Sequence, residues 1–167
     1  MRAARRKPAD PATIRLLVLD VDGVLTDGRV YYGARGEVLK VFHIRDGAGI
    51  RAVLTAGIEV AILSGRRSAM VARRCRELGI KQVIQGEDRK LPALQGLLKR
   101  LKIDVAQCAC VGDDIVDVPM LKLAGLTFAV ADAHPTAARA AHRQTKLPGG
   151  HGAVREVCDY LLAARGK

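Results

Sequence analysis

Two aspartates, Asp20 and Asp22, stand directly after the apolar run Leu16–Leu19, and Gly23 and Gly28 follow them. Like charges at i and i+2 behind a buried strand raise each other's pKa, and both lose solvation. A hard divalent cation relieves that cost, and Mg2+ suits carboxylate oxygens, with waters and a substrate phosphate completing its shell. Asp20 would then attack the phosphoryl group, while Asp22 protonates the leaving oxygen and later activates water. Without a ligand, D-x-D-G also serves as a turn after a strand, so the rest of the chain has to decide.

More chemistry-bearing residues recur downstream: Ser64, the Arg89-Lys90 pair, and Asp113 with Asp114. Singly, each has a structural use, as a helix cap, a solvated helix residue or a charged turn. Together they supply a nucleophile, an acid/base, a hydroxyl, a cation and a further carboxylate. Phosphoryl transfer needs that inventory, because its catalysis is mostly positioning and charge neutralisation.

The elements that must position these residues alternate. The run Leu16–Leu19 is too short for an ordinary helix and reads as a buried strand. Residues 29–32 and 37–42 flank Gly33-Ala34-Arg35-Gly36, a β-hairpin pattern with a four-residue turn. His43-Ile44-Arg45-Asp46-Gly47 opens a helix running to about Ala56, which Gly57 closes. Residues 58–63 form a strand ending at Ser64-Gly65-Arg66, and residues 68–78 a helix stopped by Gly79. A strand at 82–84 leads through residues 86–90 into a helix ending at Leu101, with Pro92 in its first turn. Residues 107–111 form a strand ending at Gly112-Asp113-Asp114; Leu121 to Ala124 belong to the next helix, 126–130 to a fifth strand, and 152–164 to an amphipathic helix. This alternation specifies an α/β fold, a three-layer Rossmann-like parallel sheet with helices on both faces. The polar residues fall at the carboxyl ends of its strands, where open parallel sheets bind ligands.

The chain has 167 residues, 49% of them hydrophobic and only 3% aromatic, which suits a single domain with an aliphatic core. We place that domain at 13–167, after a basic tail at 1–12 expected to be disordered. No apolar run reaches the roughly 18–20 residues that cross a bilayer, and the start lacks the apolar region of a secretory signal. Cys75, Cys108, Cys110 and Cys158 have neither C-x-x-C nor zinc spacing, so they read as reduced and the protein as cytoplasmic. The net charge of +11 favours an anionic partner. With almost no aromatics for base stacking and no binding motif, that partner reads as a small acidic substrate rather than nucleic acid. His134 and His142 lack metal-ligand spacing and read as structural.

In order and spacing, residues 15–132 resemble the haloacid dehalogenase superfamily of phosphatases. The first motif, D-x-D-G-x-x-T, matches Asp20 to Thr26; the second-motif serine matches Ser64, the third-motif lysine Lys90, and G-D-D-x-x-D matches Gly112 to Asp117. The resemblance implies Asp20 as nucleophile and Asp22 as acid/base. It also implies Mg2+ held by the Asp20 carboxylate, the Asp22 backbone carbonyl and Asp113, with Ser64 and Lys90 on the phosphoryl group.

A narrower resemblance covers nearly the whole chain. The stretches 43–51, 62–66, 74–75, 85–91, 129–135 and 149–156 are similar to the capless branch of that superfamily, the 3-deoxy-D-manno-octulosonate 8-phosphate phosphatases of lipopolysaccharide precursor synthesis. It implies a homotetramer whose active sites are covered by hairpins and C-terminal tails of neighbouring chains, with the hairpin after the first strand as a flap. It also implies substrate contacts from Asp22, His43, Ile44, Arg45, Asp46, Gly47, Arg51, Arg66, Arg74 and Lys90. Arginine forks suit the phosphate and carboxylate of a sugar-acid phosphate, and Arg66 and Arg74, eight apart beside one helix, are expected on a similar face. The usual G-G-R-G reads Gly149-Gly150-His151-Gly152 here, which would weaken that contact or make it pH-dependent. A nonulosonate 9-phosphate is the alternative substrate. An aspartyl phospho-acceptor of receiver type and a non-catalytic anion-binding scaffold are the alternatives of other classes.

Overall fold

The computed structural model describes residues 7–166. The chain enters the sheet through β1 (Leu16–Leu19) and projects a hairpin of β2 (Tyr31–Gly33) and β3 (Gly36–Leu39). It continues through α1 (Ile44–Thr55), β4 (Glu59–Ser64), α2 (Ala69–Leu78), β5 (Gln82–Gln85) and α3 (Lys90–Leu101). The second half holds β6 (Cys108–Gly112), α4 (Val118–Leu123), β7 (Leu126–Ala129), α5 (Pro135–Ala140), β8 (Arg143–Gln144) and α6 (Ala153–Ala163). Six strands form one sheet in the order β5-β4-β1-β6-β7-β8, and each neighbouring pair is parallel. The hairpin is a separate antiparallel pair.

All four residues of β1 are inaccessible to solvent, and strand alternation divides them between two cores. Leu17 and Leu19 pack with Ile50, Val53, Val71, Val154 and Leu161 from α1, α2 and α6. Leu16 and Val18 pack with Leu94, Leu97, Met120, Leu121 and Ala137 from α3, α4 and α5. Helices therefore cover both faces, giving the three layers that the alternation of elements implied. After β5 the chain crosses back over β1 to build β6, which puts the topological switch point between β1 and β6. Ligands of open parallel sheets bind at that point, beside the carboxyl ends of the strands.

Four details differ from the sequence reading. A sixth strand, β8, extends the sheet, preceded by the helix α5 where a loop was expected; a two-residue strand with exposed side chains carries no periodicity to read. The hairpin is shorter than expected, because Gly33 pairs directly with Gly36 and leaves only Ala34 and Arg35 in the turn. Gly36 closes that turn at φ +111°, which side-chain-bearing residues rarely adopt. The domain also begins before residue 13. The Ala9 N–H donates to the Gly125 carbonyl at 2.8 Å, and the Asp10 carboxylate accepts from the Ala12 N–H at 2.9 Å. Of the expected tail, residues 1–6 lie outside the described residues.

Because Leu17 is wholly enclosed, Leu17→Ala is expected to destabilise the fold by about 3 kcal/mol through lost transfer energy and a residual cavity. Urea unfolding checks it, as a lowered midpoint at constant slope.

Candidate active site

The carboxyl end of β1 turns at once. Val24, Leu25 and Thr26 N–H groups all donate to the Val21 carbonyl, at 3.2, 2.9 and 3.0 Å. The Thr26 hydroxyl, buried in this loop, accepts from the Gly23 and Gly28 N–H groups at 3.4 and 3.2 Å. Gly23 adopts φ +90°, and a Cβ there would strike the Asp113 carboxylate. The glycine is what lets the loops after β1 and β6 meet. From beneath, Gly149 and Gly150 press on the same turn: the Gly150 N–H donates to the Val24 carbonyl at 3.0 Å, and Cβ atoms would run into backbone at Gly23 and Asp27.

Asp20 is almost fully buried; its Oδ1 accepts from the Val21 N–H at 2.7 Å and lies 2.9 Å from Lys90 Nζ. Lys90 opens α3, and its ammonium also donates to Asp117 Oδ1 at 2.5 Å. The other oxygen of Asp117 accepts from the Asp113 and Asp114 N–H groups at 2.8 and 3.2 Å, which fixes the loop after β6. Ser64 ends β4 in a buried position, its hydroxyl accepting from the Arg66 N–H at 3.3 Å. Asp20, Asp22, Ser64, Arg66, Lys90 and Asp113 thus line one cavity of about 240 Å³, with Asp88, Asp114 and Val116 on its walls.

Ligand oxygens of Asp20, Asp113 and Asp117 lie within 4.8 Å of one another. Burial pushes the Asp20 carboxyl up to about 6; Lys90 opposes that rise and Asp117 adds to it. Burial also raises Asp113, and repulsion from Asp20 and Asp117 carries it to about 8, against the pull of Lys90. A bound cation would bring both back to the ionised form. Both oxygens of Asp117 already have donors, so Asp20 and Asp113 are the carboxylates left for a metal, and hard oxygen donors fit Mg2+. Burial works to lower the Lys90 ammonium, but Asp20 and Asp117 outweigh it and hold its pKa above the ordinary value.

The remaining sequence-predicted residues lie elsewhere in this chain. Nδ1 of His43 caps α1, accepting from the Arg45 N–H at 3.2 Å, and Ile44 projects outward. Arg45 lines a different cavity of about 690 Å³, together with Lys146, His151 and Arg155. Asp46 is buried, and one of its oxygens accepts from the Arg155 N–H at 2.8 Å. Gly47 lies against the Arg74 guanidinium, which sits 6.0 Å from the Phe42 ring centre and 3.5 Å from Glu77. Arg51 donates to the Glu77 carbonyl at 2.7 Å. Arg66 precedes α2 rather than lying in it, so helical spacing does not relate it to Arg74: one reaches the cavity and the other does not.

Two functional side chains escaped sequence reasoning. Asp117 stood inside a recognised motif without a role. Lys40, at the end of the hairpin, is bonded to Asp22, and no sequence pattern marks that pairing. The two structural histidines have structural partners: His134 caps α5, and His142 Nδ1 accepts from the Thr127 N–H at 3.1 Å.

A family model described as haloacid dehalogenase-like hydrolase matches residues 80–156, and the parallel sheet with its strand-end aspartates is that class of architecture. The chain is 53% identical over 159 residues to the 3-deoxy-D-manno-octulosonate 8-phosphate phosphatase of Escherichia coli K12, spanning 95% of this chain and 85% of that one. The crystal structure of the phosphatase of the same name from Yersinia pestis superposes with a TM-score of 0.92 at 49% identity, covering 95% and 85% of the two chains. That from Moraxella catarrhalis, in complex with magnesium, phosphate and 3-deoxy-D-manno-octulosonate (KDO), gives 0.92 at 43% identity, covering 94% and 90%. The chain belongs to the 3-deoxy-D-manno-octulosonate 8-phosphate phosphatase family of haloacid dehalogenase-like hydrolases.

Asp20 and Asp113 hold their protons more tightly folded than unfolded while no metal is bound, so as pH rises Asp20 withdraws stability between 3.8 and about 6 and Asp113 between 3.8 and about 8. Excess Mg2+ should therefore raise the melting temperature more near pH 8 than near pH 5, as calorimetry would record. Equal gains at both would dissociate these carboxylates from the metal.

Proposed function

We propose that this chain hydrolyses 3-deoxy-D-manno-octulosonate 8-phosphate to the free sugar acid and phosphate, a step of lipopolysaccharide precursor synthesis. The observation that carries the proposal is Asp20 at the switch point, facing a cavity that also presents Lys90, Ser64 and Asp113. Its family membership and the bound species of the Moraxella catarrhalis relative support the substrate.

In this reading an Asp20 oxygen attacks phosphorus, and the bond from phosphorus to the sugar oxygen breaks. Asp22 gives its proton to that departing oxygen, leaving an aspartyl phosphate on Asp20. Asp22, now a carboxylate, takes a proton from water as the water attacks phosphorus, which frees Asp20 and inorganic phosphate. Ser64 donates a hydrogen bond and Lys90 a charge to the phosphoryl oxygens throughout. The Asp20 carboxylate, the Asp22 carbonyl and Asp113 would hold Mg2+, which supplies neutralisation of the phosphoryl charge when bound. Asp117 keeps Lys90 and the loop of Asp113 in place.

The sugar-acid end has few partners inside one chain, since Arg66 alone of the arginines expected there lines the cavity. We assign the remaining contacts, from His43 through Gly47, Arg51 and Arg74, to sites completed in a homotetramer. The exposed apolar side chains of the hairpin and its exit, Tyr32, Val38, Leu39 and Val41, support such docking, as do Ile115 and Val116 at the cavity rim. A cytoplasmic setting suits the four unpaired, buried cysteines. Among the described residues no helix is long and apolar enough to cross a membrane.

Asp20→Asn is expected to cut Mg2+-dependent phosphate release by at least about 10³-fold, with the fold intact. Turnover of the octulosonate ester should exceed that of a nonulosonate 9-phosphate and of simple sugar phosphates. Equal rates on all three would keep the phosphatase and discard the substrate. Equilibrium sedimentation is expected to give a tetramer, and Arg74→Ala to raise KM about 10-fold with little change in kcat. A fully active monomer would overturn the shared-site assignment.

A further inference from the structure

Lys40 is an unusual place to spend a charge. It leaves the end of β3 with a side chain only 1% exposed, although a lysine ammonium is strongly hydrated and burying one is costly unless it is paired. An apolar residue would anchor the hairpin without that cost. The ammonium is bonded to Asp22 Oδ1 and lies 2.9 Å from Glu37 Oε1. Arg66 stands on the far side, 3.8 Å from Asp22 Oδ2 and 3.7 Å from Glu37. Two carboxylates and two cations therefore alternate around Asp22, and three of the four come from the hairpin or from the turn after β4.

The two motif aspartates are held by different lysines. Asp20 is bonded to Lys90 of α3, whereas Asp22 is bonded to Lys40 of the hairpin. From this division we infer that Lys40 is a positioning residue for Asp22, pinning Oδ1 so that Oδ2 is the oxygen that delivers the proton to the leaving group. Glu37 holds the ammonium from behind and fixes where it can stand. Lys40 touches neither substrate nor metal in this account; it acts through the orientation of one carboxylate. The inference rests on Asp22 being the acid/base.

Proton delivery matters in proportion to the basicity of the departing oxygen. A sugar alkoxide needs the proton, whereas p-nitrophenolate leaves without it. In Lys40→Met, kcat/KM, which reports the first, ester-cleaving step, is expected to fall about 30- to 100-fold on the octulosonate ester. On p-nitrophenyl phosphate it should fall less than about three-fold. Glu37→Gln should show the same selectivity more weakly, and it keeps the question answerable if Lys40→Met misfolds. Asp22→Asn should show it more strongly, and adding Lys40→Met to Asp22→Asn should change the ratio between esters little, since both act on one proton transfer. Equal losses on the two esters in Lys40→Met and Glu37→Gln, with selectivity retained in Asp22→Asn, would reduce Lys40 to a structural anchor and overturn the inference alone. Absence of leaving-group selectivity in Asp22→Asn itself would overturn the acid/base reading, and the inference with it.

Discussion

The Lys90 ammonium, buried between Asp20 and Asp117, is the interaction on which the rest of the site depends. It ties the end of β1 to the first residue of α3 and, through Asp117, to the loop after β6. The first turn of a helix is the wrong end for a cation, because the macrodipole there is positive. Two carboxylates offset that mismatch, and neither could be so deeply buried without the lysine. The charges are mutually required, and removing any one leaves another without compensation in a low-dielectric setting. The crowding that makes these groups costly to fold around also leaves Asp20 facing a cavity beside the Asp113 carboxylate. Stability is given up at the strand ends and recovered in two aliphatic cores that grip β1 from both faces.

The cavity that holds the strand-end carboxylates is lined by residues of one chain. Every element of the phosphoryl cavity comes from loops at the carboxyl ends of β1, β4 and β6, the approach to α3, and the capped turn before α4. These are the least yielding parts of the sheet edge. Residues 43–51 and Arg74 belong instead to α1 and α2, where they cap, pack and pair with one another, with Glu77 and with Arg155 of α6. The strand-end carboxylates and the residues at the start of α1 are thus built on separate parts of the frame.

Much of this was legible in the amino-acid order. The apolar run at Leu16–Leu19 could be little else than a central strand, and the regular return of strand and helix patterns dictated the parallel sheet. Asp20, Ser64 and Asp113 announced themselves because each stands at the end of a buried run, and Lys90 because it opens the helix after a strand; the fold brings these ends together. Lys40 and Glu37 did not, because a hairpin that alternates apolar and polar residues has the same pattern whether its lysine faces water or a carboxylate. Helical spacing misled at Arg66, since the chain bends at Gly65-Arg66 after β4 and α2 begins only at Ala69. At β8 the ladder is too short for periodicity, and its partner β7 decides that it is a strand at all. Asp10 reads as part of a charged tail until its capping bond to the Ala12 N–H is seen. These misses share one cause: the deciding partner is distant in the chain, or the element too short to carry its own pattern.

The seating of Gly149 and Gly150 under the turn after Asp20 bears on how the protein comes into being. Asp20 precedes Asp113 and Asp117 by most of the strands of the sheet, and the two glycines that brace its turn follow later still. A ribosome therefore releases an Asp20 whose surroundings are unfinished until Gly149 and Gly150 have emerged. A product cut short before Gly149 would carry Asp20 without the glycines that pack on its turn.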